Sequence, residues 1–220
     1  AMQKDVEEFS KEHVAHVVGI DRGLRQIITT FDEQKHIHFE SGKQIARRRR
    51  HFYELRRLLQ KKNTKSSKHR IRTIENRENR WMADINHQIS KALVSHYGPN
   101  TLFVVEDLTD VSFDKKNLKR TKKGKKELPS WAFYDFEQKL VSKALANKSL
   151  VLEVSAAYTS QRCPRCGRIH KENRKHDRHL YVCDCCGHQM NDDAVGAENI
   201  YLLGTQWVSG MEAPHFEKLS

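Results

Sequence analysis

The chain contains no run approaching the roughly eighteen consecutive apolar residues that a membrane-spanning helix needs. No basic start followed by an apolar core opens it, so no secretory signal is expected. Acidic residues are scarce: 28 Asp and Glu stand against 40 Lys and Arg, a formal net charge of +12. That sign favours nucleic acid as a partner over a membrane surface, since nothing in the chain would cross one. Cysteine is sparse too. There are five, and four of them fall in two C-x-x-C pairs, which argues against a secreted disulfide scaffold and for a reducing compartment, the cytoplasm. At 220 residues the chain is long enough for one sizeable core and an appended module.

Cys163/Cys166 and Cys183/Cys186 are separated by sixteen residues, the spacing of a four-cysteine ribbon around a structural Zn²⁺ ion. Gly167 and Gly187 each follow the second cysteine of a pair, where the backbone must turn back around a metal. The segment between the pairs is polar and basic. Only Ile169, Leu180, Tyr181 and Val182 are available to pack, so a metal must supply much of its stability. Two disulfides, or free thiols, are the competing reading. Cys185 sits inside the second pair, but Cys186 mirrors the first pair and is the expected ligand; His179 and His188 are not required.

Taken in order, residues 13–20 read as a buried strand ending at Asp21, and residues 26–31 and 36–39 as two short strands joined by a turn at 32–34. Residues 43–62 and 68–96 have helical periodicity, and Gly98, Pro99 and Asn100 end the second helix. Residues 101–108 form the cleanest strand, with Glu106 at its tip. A basic loop at 110–128 is followed by a helix that Ser130 caps, with Trp131, Phe133, Phe136, Leu140, Val141 and Leu145 as its core face. Residues 149–154 read as a buried strand and 194–203 as a last helix. Arg47, Arg48, Arg49 and Arg50 in the first helix, and Lys122, Lys123, Lys125 and Lys126 in the loop, are candidate phosphate contacts; a solvated helix face is the plainer reading of the arginines.

Acids therefore fall at the end of the first strand (Asp21), at the end of the fourth (Glu106) and at the start of the last helix (Asp193). Read alone, Asp192 or Asp193 would simply cap that helix. Read together, the three give the layout of an α/β, RNase H-like mixed sheet flanked by helices. Converging carboxylates repel unless divalent cations separate them. Mg²⁺ or Mn²⁺ held by Asp21, Glu106 and Asp193 would clamp a scissile phosphodiester for in-line attack by water.

The motifs resemble those of the TnpB family, the RNA-guided nucleases of insertion sequences, and of the compact type V CRISPR effectors. Gly19-Ile20-Asp21 with Gly23 is similar to the first RuvC motif, and Val105-Glu106-Asp107-Leu108 to the second. Thr159-Ser160-Gln161 with Cys163, Cys166 and Gly167 is similar to the inserted zinc ribbon; Asp193 with Ala197, Asn199 and Ile200 is similar to the third RuvC motif. The resemblance covers residues 14–203 and implies a RuvC-like core at 13–160, a ribbon at 161–190, a closing helix at 191–204 and a tail at 205–220. It also implies a Mg²⁺-dependent DNA endonuclease, with DNA as substrate and a guide RNA bound by the full-length protein.

Departures accompany it. Family members read D-x-D-x-N-A-A where this chain has Asn191, Val195 and Gly196, and Val195 removes a polar neighbour of the metal site. The family's guide-binding region has no counterpart in the residues before the first strand, and Ala1-Met2 reads as a trimming scar. A nuclease-inactive or truncated binding module is thus the second reading. A DNA-strand transferase, which uses a similar acid set, is the third; the ribbon's position disfavours it.

Overall fold

The computed structural model describes residues 9–23, 25–107 and 130–218. The expected loop at 110–128, its lysines at 122, 123, 125 and 126, and the side chains of Ser130 and Trp131 lie outside them. Strands β1 (His16–Arg22), β2 (Gln26–Asp32), β3 (Ile37–Ser41), β4 (Thr101–Asp107) and β5 (Leu150–Ser155) form one mixed sheet in the order β3-β2-β1-β4-β5. β1, β2 and β3 are an antiparallel meander, while β4 and β5 join parallel to β1. Asp32 closes the β2–β3 hairpin, its carboxylate accepting from the Gln34 and His36 amides at 3.0 and 2.9 Å.

Central β4 is apolar on both faces because both are covered. Phe103 and Val105, with Val18 and Ile20 of β1, pack under three helices: α1 (Lys43–Lys62), α2 (Lys65–Tyr97) and α3 (Ser130–Ala146). Leu102 and Val104 point the other way, onto Ile200 and Leu203 of α4 (Asp192–Val208). A one-residue slip would exchange the two faces, so packing fixes the register. α2 begins at a capping box, in which the Thr64 hydroxyl accepts from the Ser67 amide and the Ser67 hydroxyl from the Thr64 amide. Leu145, expected in the core, is 45% exposed near the end of α3. Phe136 and Leu140 carry that helix's buried face instead.

α4 lies unusually close to the sheet. A Cβ on Gly19 would stand 2.2 Å from the Ala197 carbonyl oxygen and 2.4 Å from the Tyr201 nitrogen. The helix also runs five residues beyond the expected end at 203, because Leu203 and Gly204 sit on the core rather than at its edge. The tail, in which the sequence shows no pattern, returns to the fold: Phe216 is buried in the α4-side core with the Arg162 guanidinium 4.3 Å above its ring.

Between β5 and α4 the chain makes a second, three-stranded antiparallel sheet, β6 (Arg174–Lys175), β7 (Leu180–Val182) and β8 (Gln189–Asn191). Its small core is Cys163, Tyr181 and Cys183, closed by Val195 of α4. Val195 is therefore an apolar floor for the ribbon, fully buried, rather than a bare gap in a polar site.

Candidate functional site

Strand alternation places the first two acids. Ile20 and Val105 are register partners on adjacent parallel strands and both face the three-helix layer. Asp21 and Glu106, one residue on, therefore both face α4. Asp193 arrives from the first turn of that helix. The helix cap is not an aspartate: Asn191 takes that position, its side-chain oxygen accepting from the Asp193 and Ala194 amides at 3.0 and 3.2 Å. Capping by Asn191 leaves Asp192 and Asp193 in the first turn with their carboxylates uncommitted to the helix end. Gly196 completes the approach. A Cβ there would sit 3.1 Å from both Cγ and Oδ1 of Asp21, so the Asp21 carboxylate lies against bare helix backbone.

The electrostatics follow from this crowding. Burial, then Glu106, then Asp193 push the Asp21 carboxyl well above its ordinary range, with Arg174 opposing and Asp192 adding to the push. Burial also raises Glu106, against the Thr159 hydrogen bond and the charges of Arg22 and Arg174. Burial and Asp192 raise Asp193, while Arg174 and Arg25 oppose. Asp21 thus faces two like charges, a repulsion that a bound cation would relieve.

Several partners of these acids carry no signal of their own in the sequence. Arg174 of β6 donates to Asp192 Oδ2 at 3.0 Å and to Asp193 Oδ1 at 3.4 Å. Asp192 is 2% exposed, and its Oδ1 has no hydrogen-bond partner. The Arg22 guanidinium, its side chain only 2% exposed, donates to the Glu106 carbonyl and, at 2.7 Å, to Glu137 of α3. The Thr159 hydroxyl donates to Glu106 Oε1.

The four ribbon cysteines meet as expected. Their Sγ atoms all lie within 4.8 Å of one another, the only such group of metal-type ligands among the described residues. Cys163 to Cys186 is 3.6 Å and Cys166 to Cys183 is 3.5 Å. A disulfide needs about 2.05 Å. Tetrahedral thiolates at about 2.3 Å from one ion sit about 3.8 Å apart, so the cluster has the dimensions of a metal site. The two halves repeat. The Gly167 and Gly187 amides donate to the Cys163 and Cys183 carbonyls at 2.9 and 3.1 Å. Both glycines hold positive φ, 76° and 69°. Burial pushes the Cys163 thiol up to about 12. At Cys183 burial pushes the same way, but the Cys186 and Cys185 amides outweigh it and draw the thiol to about 7. Cys185 itself is exposed and outside the cluster.

The arginine run divides. Arg47, Arg48 and Arg50 are exposed on α1, with the Arg48 guanidinium 4.7 Å over the Trp81 ring. Arg49 turns inward and, with Arg56, ion-pairs with Glu78 of α2, itself 8% exposed. No helix among the described residues is long and apolar enough to cross a membrane.

Comparison with known proteins gives the family. Residues 3–112, half of the chain, match the family OrfB_IS605, described as "Probable transposase". Residues 133–200 match "Cas12f1-like, TNB domain". The chain is 33% identical over 118 residues to the CRISPR-associated endodeoxyribonuclease Cas12f1 of Sulfoacidibacillus thermotolerans, covering 52% of this chain and 25% of that protein. It is 27% identical over 205 residues to the putative RNA-guided DNA endonuclease InsQ of Escherichia coli K12, covering 86% of this chain and 49% of InsQ. The fold superposes on Cas12f1 from a Cas12f1-sgRNA-target DNA complex with a TM-score of 0.65 at 15% identity, over 86% of this chain and 50% of that one. The chain thus spans a quarter to a half of the length of these relatives. By the match over half its length, with the thiol cluster in the region matched to the second family, the chain belongs to the TnpB-type OrfB_IS605 family.

Proposed function

We propose that this chain is the RuvC-like, RNase H-like nuclease portion of an RNA-guided DNA endonuclease. The observation that carries the reading is that part-buried Asp21 of β1 is repelled by both Glu106 of β4 and Asp193 of α4. Their oxygens are the hard donors that Mg²⁺ or Mn²⁺ prefers, and Asp192, whose Oδ1 lies 3.7 Å from His179 Nδ1 without a hydrogen bond, adds negative charge beside Asp193. Bound there, divalent cations supply the Lewis acidity and water activation for phosphodiester hydrolysis. The chain's own residues do the rest. Arg174 neutralises Asp192 and Asp193 when no cation is present, and is the nearest charged donor to a phosphate arriving at Asp193. Zn²⁺ in the thiol cluster fixes the ribbon that carries Arg174. Arg47, Arg48 and Arg50 contact the phosphates of bound nucleic acid, and the guide RNA belongs to the longer protein of which this chain matches a part.

The test is cleavage of end-labelled single-stranded DNA by the zinc-loaded chain with Mg²⁺ or Mn²⁺, beside Asp193→Ala. Cleavage that disappears in the variant supports the reading. Divalent binding without cleavage supports a nuclease portion that needs its guide-binding half. Neither cleavage nor divalent binding overturns the assignment of the three acids and moves the chain to a nucleic-acid-binding module.

A further inference from the structure

Glu106 is held by a residue that belongs to the ribbon's entry, not to the sheet. Thr159 follows β5 by four positions and is 2% exposed. Its hydroxyl touches two acceptors, Glu106 Oε1 and the Ala156 carbonyl at 3.1 Å. A hydroxyl has one proton to give, and the carboxylate is both the closer and the charged acceptor.

The backbone around Thr159 is set for this contact. Tyr158, just before it, sits at φ 64°, a left-handed conformation that a bulky residue keeps only when its surroundings impose it. The Tyr158 carbonyl accepts from the Gln161 and Arg162 amides, both at 2.9 Å, closing a tight turn. Asn199 of α4, fully buried, donates its side-chain amide to the Thr159 and Arg162 carbonyls, both at 2.8 Å. Tyr181, in the thiol-cluster core, donates to the Gln161 carbonyl at 3.2 Å. Thr159 is thus pinned from α4 on one side and, through the turn, from the ribbon core on the other.

We infer that Thr159 is a positioning residue for Glu106, and that the ribbon sets the orientation of this carboxylate through it. The inference rests on the nuclease reading, because it gives Glu106 a cation to hold. Hydrogen bonds to a metal-ligating carboxylate fix its rotamer and keep its oxygens aimed; losing one typically weakens metal affinity about 10- to 100-fold. A single neutral donor belongs at the lower end, about tenfold. The same turn opens the path to Cys163, so a ribbon that loses its metal loosens the element that aims Glu106.

The test is Mn²⁺ affinity of the zinc-loaded full chain, read from the electron paramagnetic resonance of free Mn²⁺, with zinc content and melting temperature measured in parallel. Thr159→Val keeps the shape and removes the donor. It is expected to weaken Mn²⁺ binding about tenfold at unchanged zinc content, and Thr159→Ser to restore it. In a Glu106→Gln background Thr159→Val should have little further effect, since the acid it serves is gone. Asn199→Ser, which removes the pin and leaves the hydroxyl, should weaken binding in the same direction, and it tests the coupling even where Thr159→Val does not fold. Wild-type affinity in Thr159→Val, or a Thr159→Ser variant as weak as Thr159→Val, overturns the inference. A wild-type chain that binds no Mn²⁺ overturns the nuclease reading instead, so the two failures are distinguishable.

Discussion

Replacing Gly19 with alanine tests the closeness of β1 and α4 on which the acid cluster depends. The added Cβ would stand 2.2 Å from the Ala197 oxygen, 2.4 Å from the Tyr201 nitrogen and 2.8 Å from the Tyr201 Cα. Carbon–oxygen contacts settle at about 3.3–3.6 Å, so the helix must retreat by about 1 Å. All three obstacles are backbone, so no rotamer change relieves them. Overpacking a core costs about 1–3 kcal/mol, and backbone against backbone belongs at about 3 kcal/mol. For a chain of this size that lowers the melting temperature by about 6–12 °C. Gly204→Ala is the companion. Its Cβ would meet side-chain methyls, Val104 Cγ2 at 2.4 Å and Val17 Cγ1 at 3.0 Å, which can rotate. Its expected cost is about 1–2 kcal/mol. The assay is thermal unfolding of zinc-loaded protein followed by circular dichroism, with DNA cleavage measured beside it. A retreat of about 1 Å carries Asp193 away from Asp21 and should cost cleavage about 100-fold. A Gly19→Ala protein that melts with the wild type, or one less affected than Gly204→Ala, would refute the reasoning.

Further outcomes follow from the same geometry. The raised Asp21 carboxyl means that the folded chain holds its proton more tightly than the unfolded one, so this group's stabilisation is complete below its ordinary range and is lost as pH rises through the raised value. In magnesium-free buffer, Asp21→Asn should therefore melt higher than wild type at pH 8, with the gap closing on acidification. Added Mg²⁺ should stabilise the wild type but not the variant. Cys183→Ser should reduce bound zinc from one per chain to substoichiometric levels by native mass spectrometry, whereas Cys185→Ser should retain one, since only Cys185 lies outside the cluster. Glu78→Ala should destabilise by about 3 kcal/mol in denaturant titration, because it strands the part-buried Arg49 and Arg56.

The places of the three acids on their elements were legible because each sits at a boundary the chain announces. Asp21 and Glu106 end apolar runs, and Asp193 opens a helix just past a cysteine pair. The thiol cluster was legible because its ligand spacing is local. The residues that serve these acids were not, since their contacts cross long stretches of chain: Thr159 meets Glu106 across 53 positions and Arg22 meets the Glu106 carbonyl across 84. Nothing distinguishes Arg174 from the other cations of the ribbon until β6 is folded against α4. Arg49 shows the same limit in reverse. It reads like its three neighbours in the sequence, yet helix periodicity alone turns it toward Glu78. Asn191 and the two aspartates are all competent caps, and only the backbone decides among them.

The ribbon lies between β5 and α4, so the chain interrupts its own acid cluster to build a metal module before it supplies the last acid. During synthesis Asp21 and Glu106 emerge long before Asp193, and the thiols emerge between them. Val195 and Asn199 dock α4 onto the ribbon's core and entry turn, so the closing helix finds its place on a module whose thiols have all emerged before it. Order of translation thus becomes order of assembly. A ribosome-bound intermediate carries Asp21 and Glu106 without the third acid that repels Asp21. The last acid therefore reaches Asp21 only on a helix seated on the thiol module.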